Sequence, residues 1–285
     1  MTSSDRLPSP LPPEIWDALD AAAVEAARAR LTVRRFLDIE GPFGLGLTAI
    51  EVGDDSPLPD PDPDAADLAL GHAVGVPIIR RSFALSTRRV AAYLENNQPL
   101  DLSPVEDAAE AVADREEDLI YHGQPAFNLA GLLTHPERQR LAGGDWQDLS
   151  RALDDVLAAA TKLDDAGFRG PYALALAPPL YNGLFRLYPG SDVQQLDHLK
   201  SLCTSGIYKA PIEGGALIDP RVGVLIVGQD LRTGYASQDG IHYRLFMTET
   251  LVLRIDDPAA VCTISATGDF LKRGDLLKKP ESVRK

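Results

Sequence analysis

The one string in the sequence with the spacing of a cofactor loop is Gly44-Leu45-Gly46-Leu47-Thr48-Ala49, a GxGxxA pattern. Such glycines bring backbone amides close to a pyrophosphate, but only where a buried strand leads in and a long helix leads out. Gly41-Pro42-Phe43 precedes the string and Glu51-Val52-Gly53-Asp54-Asp55 follows it, so the helix is missing and a flexible loop base is the plainer reading. There is no GxSxG elbow, no GxxxxGK phosphate loop and no HExxH pair. His72, His122, His135, His198 and His242 fall in separate elements, and no two stand at metal-ligand spacing. Glu116-Glu117-Asp118 with His122 comes nearest to a metal cluster, because Asp118 and His122 are four apart on a helix; a solvated helical face is the plainer expectation. The acidic run from Asp54 to Asp64 lacks the turn glycine and closing glutamate of a calcium loop. Cys203 and Cys262 are the only cysteines and form no CxxC pair, which argues against structural zinc and a disulfide framework. The expectation is a chain with no catalytic residues, no metal site and no cofactor.

Bulk properties narrow the classes further. A net charge of −14 repels phosphate backbones and argues against a nucleic-acid partner. The first residues, Met1-Thr-Ser-Ser-Asp-Arg-Leu-Pro, lack a signal peptide's apolar core, and no apolar run approaches the roughly 20 residues that span a bilayer. A cytoplasmic address without membrane association is expected. Apolar content of 45% and charged content of 25% describe a globular chain.

The elements follow from periodicity. Pro12 and Pro13 open a helix whose apolar face carries Ile15, Leu19, Ala23 and Ala26, running to about Arg30 or Leu31. Arg34-Arg35-Phe36-Leu37-Asp38-Ile39 follows and is broken by Gly41-Pro42. Residues 45–52 and 68–85 read as extended, on either side of a proline-alternating acidic stretch that forbids regular structure. Together they predict a long two-stranded loop with an acidic tip. Ser103-Pro104-Val105-Glu106 is a capping box opening a helix that ends before Gly123. Further helices are predicted from Trp146 to Ala166 (with Leu149 on its apolar face) and from Asp192 to Leu202, with a short strand from Tyr172 to Ala177. Val222 to Val227 reads as a short buried strand. His242 to Ile255 reads as a strand of about 45 Å at ~3.3 Å per residue, its apolar parity interrupted by Glu249. A ribbon longer than its own core predicts packing against other chains. Residues from Thr267 read as a disordered tail.

Several of these segments, in order, resemble the encapsulins, shell proteins that share the major-capsid fold of tailed phages. The helix with Trp16 and Asp20 followed by residues 34–42 resembles the family's opening; Gly170-Pro171-Tyr172, the turn Gly228-Gln229-Asp230-Leu231-Arg232-Thr233-Gly234-Tyr235, the strand Arg244-Leu245-Phe246-Met247-Thr248-Glu249-Thr250 and the closing residues 256–262 match in sequence. The resemblance implies an α+β capsid-like fold with a peripheral domain, an axial domain and an extended β loop. Its expected divisions are an N-terminal helix and arm over 1–44, the loop over 45–85, a peripheral domain with spine helix over 86–131, an axial domain over 132–227, a peripheral return over 228–266 and the tail over 267–285.

The function so implied is structural: homo-oligomers forming an icosahedral nanocompartment around a cargo enzyme, a ferritin-like iron oxidase or a dye-decolorizing peroxidase. The cargo docks by a C-terminal peptide. Arg34, Phe36 and Asp38 stand at positions matching the docking region, as a charge, an apolar wall and a counter-charge for an extended peptide; the alternative is that Phe36 is core and Arg34 pairs with Asp38. Ala27 stands where relatives often carry an aromatic. On the docking reading, Phe36→Asp should empty shells without dissolving them. Pro189-Gly190-Ser191-Asp192 is the candidate pore lining, where a ring of Asp192 carboxylates would favour cations; a helix N-cap is the plainer role for Asp192. Some relatives stack a flavin on a tryptophan in the strand after the loop, but Thr87-Arg88-Arg89 offers no ring, so no flavin is expected. The competing reading is a prophage major capsid protein that packages DNA.

Overall fold

The computed structural model describes residues 9–60, 66–148, 150–187, 190 and 192–265. Leu149, Pro189, Ser191, the loop tip over 61–65 and the tail after residue 265 lie outside them. In chain order the elements begin with α1 (Pro13–Arg30), β1 (Asp38–Glu40), β2 (Ala49–Glu51), β3 (Ser56–Pro57), β4 (Ala69–Leu70), β5 (Ala73–Gly75) and β6 (Ile78–Ser86). Next come α2 (Thr87–Asn96), α3 (Ser103–His122), β7 (Gly123–Gln124), β8 (Leu129–Ala130), β9 (Gln139–Ala142) and α4 (Arg151–Asp165). The chain then forms β10 (Ala173–Leu176), α5 (Pro178–Gly183), α6 (Gln195–Leu202), β11 (Gly206–Lys209) and β12 (Gly215–Ile218). It closes with β13 (Gly223–Asp239), β14 (His242–Ile255) and β15 (Val261–Ser265). Two compact units result, one of residues 1–120, 124–129 and 224–254, the other of 121–123, 130–223 and 255–285.

The first unit is built on a four-stranded sheet ordered β1-β13-β14-β6. One sheet face is apolar because strand side chains alternate: Ile79 and Leu85 of β6 share it with Leu245 and Met247 of β14. Onto it pack Ile15, Trp16 and Leu19 of α1, Val90 of α2, and Val105, Ala109 and Val112 of α3. Ala22 and Ala23 of α1 and Ala108 of α3 join the same core as small side chains. Each large apolar group removed from water here contributes roughly 1.5–3 kcal/mol. The loop forms two short antiparallel ribbons, β2 with β5 and β3 with β4, as the alternating extended segments predict.

The second unit is a five-stranded mixed sheet ordered β11-β10-β12-β15-β9, with α4 packed against it. β10 and β12 are buried at every position. The closing strand β15 belongs here, antiparallel to β12 and parallel to β9. Val261, Cys262 and Ile264 are buried within this unit, which takes residues 130–223 and the chain from 255, while residues 224–254 belong to the first unit.

Three elements depart from their expected form. α4 starts at Arg151 rather than Trp146, because the residues before it are spent on other bonds. Asp148 accepts from the Ser150 amide at 3.1 Å, and the Trp146 indole donates to buried Asp155 at 2.8 Å. α3 does start at Ser103, but its hydroxyl donates to Asp101 at 2.7 Å instead of capping forward. Residues 228–235 form no turn; β13 runs unbroken through them for 17 residues. Their glycines serve close approach. A Cβ on Gly228 would lie 2.5 Å from the Thr250 hydroxyl, and one on Gly234 2.4 Å from the Phe246 ring.

Gly41 has the strictest requirement. Its φ is +121°, and a Cβ there would sit 2.2 Å from the Val227 carbonyl oxygen. Gly41→Ala is therefore expected to cost more than the ~1–3 kcal/mol of an unfavourable dihedral alone. A lowered denaturant midpoint of the purified protein checks this; an unchanged midpoint would remove the constraint.

Candidate functional site

Where α1 ends, the chain must leave a helix and enter β1 within eight residues. A short 3-10 turn, Val33–Arg35, makes the connection. Its unsatisfied amides are met by a carboxylate from α3: Glu117 Oε1 accepts from the backbone N–H of Thr32 at 2.8 Å and of Val33 at 3.1 Å, and Oε2 accepts from the Thr32 hydroxyl. Arg30, in the last turn of α1, reaches Glu110 and Asp114 of α3. Charge and hydrogen bonds thus fasten the segment to α3, and its apolar residues Val33, Phe36 and Leu37 are buried.

Arg34 is the centre of this arrangement. Its guanidinium donates to Glu116 through Nε at 2.6 Å and Nη2 at 2.9 Å, a two-pronged grip. It also reaches Asp230 of β13 at 2.9 Å and Glu249 of β14 at 3.2 Å. The Glu116 side chain is 0% exposed and that of Glu249 2%, whereas Asp230 is exposed. Burial pushes the carboxyls of Glu116, Glu117 and Glu249 above the ordinary range, Glu249 furthest, since it also faces the negative charge of Glu116. Burial opposes the Arg34 charge, but its carboxylate partners more than compensate and hold it protonated. Glu249 Oε1 is buried without a donor facing it. The negative charge of Glu116 pushes Glu249 further up, and Arg34, bonded to both, opposes the rise.

The solvated face expected for Glu116-Glu117-Asp118 is thereby corrected: Glu116 and Glu117 are buried, and only Asp118 pairs outward, with Arg115 at 2.8 Å. Helical spacing held the signal. Glu116 continues the stripe of Val105, Ala109 and Val112, and an acid in such a stripe needs a cation. Glu249, interrupting the apolar parity of β14, is its counterpart. Among the described residues no cluster of histidine, cysteine and carboxylate side chains suits a metal ion.

Beside Arg34 lies a cavity of about 560 Å³. Val24, Ala27, Leu31, Ile39, Ala113 and Leu231 give it an apolar wall; Arg34, Glu116, Asp230 and Glu249 give it a charged end, with Arg28 and Arg35 also lining it. Of the three residues predicted for docking, Arg34 lines this space. Phe36 is buried at 8% exposure. Asp38 is exposed on β1, where alternation turns it away from Ile39, a lining residue. Arg34 engages Glu116, Asp230 and Glu249 and makes no ion pair with Asp38. Gly190 and Asp192 are exposed; Pro189 and Ser191 lie outside the described residues. Asp192 is not the cap of α6, which is Gln194. Thr87-Arg88-Arg89 opens α2 rather than continuing the preceding strand.

The two cysteines sit in the second unit, Cys203 with its thiol pushed up to about 12 and Cys262 to about 11, in both cases chiefly by burial. Neither is expected to react with a maleimide at neutral pH until the protein is unfolded. Rapid labelling of the native protein would contradict that placement.

Comparison with known proteins assigns this architecture. The chain is 30% identical over 281 residues to the type 1 encapsulin shell protein EncA of Myxococcus xanthus, covering 93% of this chain and 97% of that one. It is 29% identical over 273 residues to the type 1 encapsulin shell protein of Rhodococcus erythropolis, covering 93% and 100%. Its fold matches a virus-like particle from Pyrococcus furiosus with a TM-score of 0.69 at 18% identity, over 88% of this chain and 100% of that one. These relatives are named as shell proteins, and the chain is a structural protein rather than an enzyme. Its fold is the α+β fold of tailed-phage major capsid proteins. Residues 1–252 match the model of the family described as encapsulating protein for peroxidase, and the chain belongs to that family, the encapsulin shell proteins.

Proposed function

We propose that copies of this chain close into a hollow icosahedral shell in the cytoplasm, and that the cavity beside Arg34 takes the extended C-terminal peptide of an enclosed enzyme. The enzyme is a ferritin-like iron oxidase or a dye-decolorizing peroxidase. The observation that carries the reading is the cavity itself: about 560 Å³, apolar along α1 and β1, charged at the end formed by Arg34, Asp230 and Glu249. An extended peptide needs both parts, side-chain pockets for affinity and polar groups for its orientation. Phe36 is buried in the segment that carries Arg34, and Asp38 is exposed on β1, so Arg34 is the one of the three that would meet the peptide. Small substrates would pass pores at which Asp192, exposed before α6, presents a carboxylate from every copy.

The test is co-expression with a fluorescent protein bearing the C-terminal peptide of either enzyme class, followed by sedimentation and electron microscopy. Hollow particles that carry the fluorescent protein, and lose it when the peptide is deleted, are expected. Particles filled with nucleic acid would support the prophage capsid reading instead. A stable monomer would end both.

A further inference from the structure

The polar end of the cavity beside Arg34 is short of donors. Glu116, Asp230 and Glu249 line it, and one guanidinium, that of Arg34, is bonded to all three. Arg34 spends Nε and Nη2 on Glu116 at 2.6 and 2.9 Å, and the same Nη2 reaches Glu249 Oε2 at 3.2 Å. Glu249 Oε1 receives no hydrogen bond from any described residue, although the side chain is only 2% exposed. A buried acceptor in that state costs the fold stability until something donates to it.

The elements around Glu249 leave that place to a ligand. Across the sheet its partner on β6 is Ile79, which carries no donor on its side chain. The nearest groups of α3 and β13, Glu116 and Asp230, are themselves acids. Arg28 and Arg35 line the cavity too, but both are exposed, and Arg35 donates to the Arg28 carbonyl at 2.8 Å. Exposed charges of that kind contribute little, whereas a buried one contributes much once it is paired. Three acids facing one bonded cation call for a donor that is also positive. The apolar wall restricts its shape: a group that passes Val24, Leu31 and Ile39 to reach Oε1 needs an aliphatic stem behind a charged head. Arginine and lysine side chains are built that way.

We infer that the peptide this cavity takes carries an arginine or lysine whose side chain enters the polar end and donates to Glu249 and Asp230. This rests on the docking reading and names the chemistry that selects the peptide. Binding is then coupled to a proton. Burial and the charge of Glu116 hold the Glu249 carboxyl above its ordinary range, so in acid a proton occupies the group that the cation needs. The cation prefers the ionised carboxylate, and affinity therefore falls as pH drops through the raised value and recovers above it.

The probe is the C-terminal peptide that loads the fluorescent protein in the co-expression test, synthesised with a fluorescein label, beside a version with every arginine and lysine changed to glutamine. Fluorescence anisotropy on purified particles, from about pH 5 to about pH 8, gives both affinities. At neutral pH the basic peptide should bind roughly 10- to 100-fold more tightly than the neutral one. Its affinity should rise with pH by up to about tenfold per unit, and that of the neutral peptide should change less. Glu249→Gln should remove the extra pH dependence and most of the difference, and Asp230→Asn, at an exposed side chain, should narrow the difference. Equal binding of the two peptides, a loading peptide without a basic residue, or a difference that both variants leave intact would overturn the inference while leaving the docking reading in place. If no peptide loads the fluorescent protein, the docking reading fails, and the inference with it.

Discussion

Replacing Arg34 by methionine is expected to destabilise the protein by about 3–5 kcal/mol, the usual result of leaving buried charge without its partner. Glu116 and Glu249 are both almost fully buried, and Arg34 is the cation bonded to each. The loss should grow with pH. Burial raises both carboxyls above the 4.5 they have when exposed, so the folded state holds protons that the unfolded state has released. Stability therefore falls as pH rises from about 4.5 toward the folded values. Without the guanidinium those folded values move higher still, and the falling window extends with them. Glu249→Gln should do the opposite: it removes a titrating group from the pair, flattens the slope and recovers part of the loss in the Arg34→Met background. Denaturant midpoints across pH for the three variants measure this. An Arg34→Met midpoint equal to the parent's at neutral pH would show that the cluster does not hold the segment.

The same cluster marks where the sequence was legible and where it was not. α3 could be read at once, because Pro104, Val105, Ala109 and Val112 obey helix rules that need no partner. β14 was equally plain over His242–Ile255, its alternation being set by one buried face. β13 was not, since Gly228, Asp230 and Gly234 look like turn residues until the Thr250 hydroxyl and the Phe246 ring occupy the space they leave. Local propensity favours a turn there, and cross-strand packing overrides it. Glu116, Glu117 and Glu249 were visible as charges, but their roles depend on Arg34 and Thr32, more than eighty residues away in sequence from the α3 pair. A buried charge is legible only together with its partner. The resemblance points to Arg34 but not to the cavity that Arg34 lines, whose apolar lining, from Val24 to Ile39, depends on the turn between α1 and β1.

That wall separates two substitutions that would otherwise look alike. Phe36→Asp places a carboxylate where the side chain is 8% exposed, so it should cost at least the ~3–5 kcal/mol of a large-to-small core change and deplete folded subunits, not merely empty shells. Ile39→Asp acts at a side chain 45% exposed in the chain by itself and lining the cavity. Folding should tolerate it, but a docked peptide would lose the burial of that side chain, about 1.5–3 kcal/mol, or roughly a 10- to 100-fold weaker affinity. The new carboxylate would also stand in a cavity already lined by Asp230, Glu116 and Glu249, so a peptide carrying acidic groups should lose more than a neutral one. The measurement is particle yield beside the fraction of fluorescent cargo retained. Intact particles with little cargo are expected for Ile39→Asp, and few particles for Phe36→Asp. Full loading of Ile39→Asp shells would place the peptide elsewhere, because Ile39 lines this cavity.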